Sequence, residues 1–273
     1  MALPSRKTPP RVSVRNACCR PSSPRSPTLS GAPGPQSPPF EALAPHFPDL
    51  EILELIGAGG MGAVYKARQA KYDRFVALKI LSFDLAADPA FTERFEREAR
   101  VLGRLSHPNI VTEFDSGTSG PYAYLLMEFV DGVNFRQAMG AGRFSAEEAL
   151  SVVQEICSAL QFAPKQGILH RHIKPENNLI DAKGRVKVAD FGIAKLVGEK
   201  VHGQVTLTLQ GATLGSPHYL ALEQIESPGD VDQRADNYSL GVVLYELVTG
   251  ELPLGRFAPP SKSRRRMPGL MRL

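Results

Sequence analysis

Cysteine is scarce in this chain, three in 273 residues. Cys18 and Cys19 are adjacent in a proline-rich stretch and Cys157 sits in a helical pattern between Ile156 and Ala159, so no spacing for a disulfide framework or a zinc site exists. A reducing, cytoplasmic setting is the expectation. No apolar run approaches the ~18 residues of a membrane span, and the N-terminal stretch lacks the continuous apolar segment of a signal peptide. Its Arg- and Ser-rich, acid-poor composition is that of an organelle transit peptide, but its prolines oppose the amphipathic helix such a peptide needs. Acidic residues are what both ends lack. Arg6, Lys7, Arg11, Arg15, Arg20 and Arg25 face only Glu41 before residue 49, and Lys262, Arg264, Arg265, Arg266 and Arg272 cluster at the other end. With those eleven set apart, 21 basic residues face 27 acidic ones, so the tails set the pI of 9.0 and the middle is mildly acidic. No stacking aromatics interleave with the tail charges, which argues against nucleic acid as a partner.

With 42% hydrophobic and 22% charged residues the chain has material for one full core. Residues 1–48 carry about half of the 23 prolines and few large apolar residues, the composition of a disordered leader. From Leu50 the pattern changes to Leu-Glu-Ile-Leu-Glu-Leu-Ile, followed by Gly57-Ala58-Gly59-Gly60-Met61-Gly62 and then Ala63-Val64-Tyr65-Lys66-Ala67. A lone G-x-G-x-x-G usually reads as a dinucleotide turn leading into a helix. Here it leads into a second strand, a hairpin whose backbone amides can approach phosphates without side-chain obstruction. Phe75 to Leu81 reads as a strand with Lys79 as its only charge. Asp88-Pro89 then starts a helix whose buried stripe is Phe91, Phe95, Ala99, Leu102 and Leu105, with Glu98 beside it. Ser145 and Glu148 form a capping box ahead of a helix with Leu150, Val153, Ile156 and Leu160 on one face.

Chemistry concentrates further on. His170-Arg171-His172-Ile173-Lys174-Pro175-Glu176-Asn177-Asn178-Leu179-Ile180 packs imidazoles, a lysine and an asparagine between short apolar runs, and Ala189-Asp190-Phe191-Gly192 follows a short strand. That composition suits a phosphate and metal site on a loop between strands.

In this order the segments closely resemble those of eukaryotic-like (Hanks-type) bacterial serine/threonine protein kinases: the glycine-rich loop, V-A-x-K, the loop H-R-D-x-K-P-E-N and D-F-G. His107-Pro108-Asn109-Ile110-Val111 and Gly215 to Glu223, similar to G-T-x-x-Y-x-A-P-E, strengthen the likeness, which covers roughly residues 50 to 256. The resemblance implies an α+β, bilobal protein-kinase fold. Residues 49–130 would form the β-rich N-lobe and 131–256 a mainly helical C-lobe lacking its last helices, with 257–273 a basic disordered tail. ATP and Mg²⁺ are the implied cofactors. Gly57, Gly59 and Gly62 would cover the phosphates, and Lys79, paired with Glu98, would hold them. Val64, Ala77, Met127, Glu128, Val130 and Leu179 would surround adenine, with Met127 as gatekeeper. Asn177 and Asp190 would hold the metal, and Lys174 would balance charge on the transferring phosphoryl group. Thr206, Thr208 and Thr213 would be phosphate acceptors for Arg171 to bind, and Asp236 would fix the catalytic-loop backbone.

Four departures stand out. His172 occupies the place of the aspartate that accepts the proton of the substrate hydroxyl. Asn178 replaces an apolar residue under the adenine, Leu222 replaces the proline of A-P-E, and Glu223 loses the arginine expected from later helices. Impaired phosphotransfer to a protein substrate is the first expectation. The alternatives are a non-catalytic ATP-binding pseudokinase that serves as a regulatory interaction module, and a degraded reading frame without a stable product.

Overall fold

The computed structural model describes residues 37–59, 62–81, 89–142, 144–192 and 217–262, without the side chains of residues 89–92 and 94. Five strands, β1 (Leu50–Gly59), β2 (Gly62–Gln69), β3 (Arg74–Leu81), β4 (Glu113–Ser119) and β5 (Tyr122–Glu128), form an antiparallel sheet in the order β1-β2-β3-β5-β4. The period-2 alternation of β2 and β3 sorts their side chains to two faces. Tyr65, Ala67, Val76, Leu78 and Ile80 pack on the outer face, while Val64, Ala77 and Leu81 join Phe95 and Met127 on the inner one. Lys79 shares the parity of Ala77 and Leu81, so a charged side chain is held only 4% exposed on the inner face. A helix over Pro89–Leu102 backs that face with Phe95, Ala99 and Leu102, the stripe its spacing predicts.

Residues 37–48, expected to belong to a disordered leader, instead pack against the outer face of the sheet. Helix α1 (Phe40–Leu43) and a 3₁₀ turn over Ala44–His46 place Leu43 and Phe47, four residues apart, into the same core, 0% and 6% exposed. Tyr65 Oη donates to Pro38 O at 2.6 Å and Ser119 Oγ donates to His46 O at 2.8 Å. Gly120 has φ +57°, and a Cβ there would overlap the His46 ring. Local proline content hid two apolar anchors that tertiary packing uses. We number the helix over Pro89–Leu102 α2.

The second lobe is built on α3 (Phe135–Gly140), α4 (Ala146–Phe162), a small sheet in the order β6 (Gly132–Asn134), β7 (Asn178–Asp181), β8 (Val186–Val188), then α5 (Leu222–Glu226) and α6 (Gln233–Thr249). The capping box at Ser145 is formed: Glu148 N donates to Ser145 Oγ at 3.2 Å and Ser145 N donates to Glu148 Oε2 at 2.7 Å. Helix α6 ends at Gly250, which has φ +72°. Val152, Ile156, Ala159, Val243 and Leu247 bring α4 and α6 into one core, onto which His170, Phe191 and the strands β7 and β8 close. The lobes meet where Val111 N donates to Val188 O at 2.9 Å and Lys187 Nζ donates to Glu128 Oε2 at 2.8 Å.

Candidate active site

The catalytic-loop backbone is fixed from beneath by one carboxylate. Asp236, 3% exposed in the first turn of α6, accepts from His170 N at 2.9 Å and Arg171 N at 2.7 Å. These bonds hold Arg171 at φ +63°, a conformation non-glycine residues rarely adopt. Gln224 Nε2 donates to Arg171 O at 2.7 Å, so α5 braces the next peptide. The His170 ring lies 2.8 Å from Ala189 O through Nε2 and accepts from His172 N at Nδ1, 3.1 Å away. Those partners select the tautomer protonated on Nε2. Phe191 closes the ring edge-on, with centroids 4.6 Å apart. Burial keeps His170 below the usual histidine range, although Asp236 pulls the other way.

Asn177 ties the two halves of the site together. Its Nδ2 donates to His172 O at 3.0 Å and its carbonyl accepts from Ala189 N at 2.8 Å, next to Asp190. Asp190 also sits in the left-handed region, φ +65°. Burial raises its carboxyl, but the opposing groups, led by Lys79, whose Nζ donates to Asp190 Oδ1 at 2.7 Å, leave it below the ordinary range. Lys79 thus crosses from the five-stranded sheet to the second lobe, 111 residues apart in sequence. The expected Lys79–Glu98 pairing gives way to this contact: the ion pair of Lys79 is with Asp190, while Glu98 lies 3.3 Å from Arg97 Nη2.

His172 is 8% exposed beside these groups. Burial first, then Lys174, His170 and Lys79, lower its pKa to about 3, and Asp190 only partly opposes them. At neutral pH the ring is uncharged. It is also a weaker proton acceptor than free imidazole.

A protein kinase domain family matches residues 50–269. Serine/threonine-protein kinase PknB of Mycobacterium tuberculosis is 42% identical over 216 residues, 77% of this chain and 34% of that protein. Serine/threonine-protein kinase PrkC of Bacillus subtilis is 44% identical over 204 residues, 74% of this chain and 31% of its own length. The chain belongs to the protein kinase family. Among solved structures, the PknI kinase domain of M. tuberculosis superposes with a TM-score of 0.63 at 31% identity, over 79% of this chain and 82% of that one. This kinase chain spans about a third of the length of the curated relatives it matches.

The residues of this kinase fit a metal–nucleotide complex. Asp190 keeps Oδ2 beyond its bond to Lys79, and Asn177, with its amide nitrogen committed to His172 O, keeps Oδ1. At the hairpin, Gly57 and Gly59 face open space, and Gly62 has φ +126° with no room for a Cβ beside the Ile80 carbonyl. Val64, Ala77 and Met127 converge in one apolar cluster, with Ala77 paired to Met127 across β3 and β5. Val130 and Leu179 are half-buried on the connecting segment and on β7. The Glu128 carboxylate is taken up by Lys187 and Thr112 N, and its own N–H donates to Thr112 O at 2.8 Å. Thr206, Thr208 and Thr213 lie outside the described residues.

The sequence singled out Asn178 without showing its partners, and two further features escaped it. Asn178 is fully buried, its Nδ2 donating to Lys174 O at 2.8 Å while Oδ1 has no partner. Arg136 of α3 joins Glu176, Glu246 and Tyr219, with Nε donating to Glu176 Oε1 at 2.9 Å and Tyr219 Oη donating to Glu246 Oε2 at 2.5 Å. No spacing rule links these four positions. Glu113, in a gap of about 30 Å³ behind Met127 with Leu102, Leu125, Val188 and Phe191, has its pKa raised by burial to about 7.

Proposed function

We propose that this chain is a serine/threonine kinase domain that binds Mg-ATP between its lobes and whose transfer to protein hydroxyls is impaired at His172. Family membership supports the reaction class. The observation that carries the reading is the convergence of Lys79, Asp190 and Asn177 beside an uncharged imidazole.

Lys79 holds phosphate oxygens, and the hairpin amides at Gly57, Gly59 and Gly62 receive the outer phosphates. Bound Mg²⁺ neutralises charge on the transferring group. Asp190 and Asn177 present oxygen to the cation, and Lys174 balances the phosphoryl charge. In the family a carboxylate next to Lys174 orients the acceptor hydroxyl and takes its proton. His172 offers a lone pair without negative charge, on a ring whose protonation Lys174 and Lys79 oppose. Loss of a positioned base lowers rate by about 10²–10⁴-fold.

The same imidazole favours a second reading, a pseudokinase that binds nucleotide as a regulatory module for a protein partner. Both readings place the chain in the cytoplasm and both require nucleotide. Calorimetric titration with Mg-ATP tests that shared step. Saturable binding that falls at least tenfold in Lys79→Met is expected; affinity unchanged by Lys79→Met sinks both.

A further inference from the structure

The segment that joins the lobes, Glu128 to Asp131, is anchored at its two ends by main-chain bonds. Glu128 N donates to Thr112 O at 2.8 Å, and Asp131 O accepts from Ala182 N at 2.9 Å. Between those ends Phe129 is held through its ring. That ring meets Phe75 of β3 edge-on, with centroids 6.3 Å apart, and Lys66 Nζ of β2 lies 4.7 Å from the centroid of Phe129 and 4.9 Å from that of Phe75. Among the described residues neither ring belongs to an apolar core, and Phe75 is 51% exposed. The Lys66 ammonium is therefore the group that both rings share. It also lies 3.3 Å from Glu54 Oε1 of β1, three residues before Gly57. Strand parity puts Lys66 on the face of Val64 and Phe75 on that of Ala77, so the cluster extends the inner face of the sheet away from the tip of the glycine hairpin.

We propose that Lys66 is a positioning residue for the nucleotide base: it ties Phe129, in the middle of the interlobe segment that flanks the base, to Glu54 on the strand that carries the glycine hairpin. The inference rests on the cleft binding nucleotide, as proposed above. An ammonium over a ring face is attracted by the ring's quadrupole, more strongly where water is partly excluded. Lys66 meets that condition, with its side chain 24% exposed. A methionine at this position keeps an apolar stem of similar length but offers no charge to either ring or to Glu54. An arginine keeps the charge and stacks on aromatic faces. Without the cation Phe129 loses its anchor between two fixed ends, and the base meets a looser wall. The phosphates, held by Lys79 at the other side of the cleft, do not.

The test uses the full chain and two readouts. Without nucleotide, hydrogen exchange of the Glu128 and Ala182 amides, which make the two end bonds, is expected to be roughly threefold faster or more in Lys66→Met and Lys66→Gln and unchanged in Lys66→Arg. Unchanged exchange in α4 and α6 marks an intact fold. In calorimetric titrations Mg-ATP affinity is expected to fall about three- to tenfold in Lys66→Met and in Phe129→Leu, and no further in the double variant. Affinity for Mg-tripolyphosphate, which has no base, stays at the parent's value. Parent-like Mg-ATP affinity in Lys66→Met and Lys66→Gln overturns this inference, even where exchange rises, and leaves the proposed function standing. So do equal losses for Mg-ATP and Mg-tripolyphosphate. Failure of the parent chain to bind Mg-ATP removes the proposed function, and the role of Lys66 with it.

Discussion

His172 and His170 are both held uncharged in the folded loop, the first at a pKa of about 3 and the second below the usual range, chiefly through burial. In the unfolded chain both return to about 6.5. Below that pH the unfolded state binds protons the folded state refuses. Their contribution to stability is therefore complete above about pH 6.5 and is lost as pH falls below it, for His172 down to about 3, at up to ~1.4 kcal/mol per pH unit for each ring. Depressed carboxylates such as Asp190 and Asp181 act in the same direction at lower pH. The His172 share is thus isolated by difference. Urea melts at pH 7.0 and 4.5 should show His172→Asn losing less stability between them than the parent, by about 1–3 kcal/mol; equal losses contradict the buried neutral ring. At this scale the sequence displayed the substitution and Lys174 two residues on, but not the burial that chiefly sets the charge state of the ring. Asn178 is a parallel case. Its need for a partner was legible, but that only Nδ2 would find one was not.

Strand β4 carries a conflict of the opposite sign. Glu113 begins a strand paired with β5 at Met127, and its side chain lines the gap that α2, β5, β8, Asp190 and Phe191 close. With its pKa raised to about 7, the folded state holds a proton that the unfolded chain releases near pH 4.5. Stability is lost as pH rises from about 4.5 to 7, and the penalty stays constant above that. Glu113→Leu is expected to stabilise the chain by ~1–3 kcal/mol at pH 8 and by much less at pH 4.5, read by thermal melts. A gain of the same size at both pH values would mean packing alone. Nothing in the sequence singles out Glu113, because burial here comes from elements far apart in the chain. The segment ahead of β1 failed for a related reason. Leu43 and Phe47 anchor it to a surface that exists only once the sheet has folded. Leu43→Ala should lower stability by about 2–5 kcal/mol in chemical denaturation, whereas a leader without contacts would show no change.

Across the whole molecule the two lobes are joined at Lys79–Asp190, Glu128–Lys187 and Val111–Val188, and the first of these runs through the proposed nucleotide site. Motif order in the sequence was sufficient to place the glycine hairpin, β3, the catalytic loop and α6, because each motif imposes its own backbone: a strand parity for Lys79, a capped start for α4, a buried Asp236 under the loop. Pairing between distant side chains was less legible. Lys79 reaches Asp190 in place of the expected Glu98, and Arg136 gathers Glu176, Glu246 and Tyr219 with no periodic signal to announce it. The central claim is that a kinase cleft with its nucleotide-binding groups in place has lost its proton acceptor at one position. The rate of γ-phosphate transfer to a serine peptide, measured with Mg-ATP for the parent chain and for His172→Asp under identical conditions, tests it most directly. The account predicts a faster Asp variant by roughly 10²-fold or more; a parent chain that transfers as fast as the variant would contradict it.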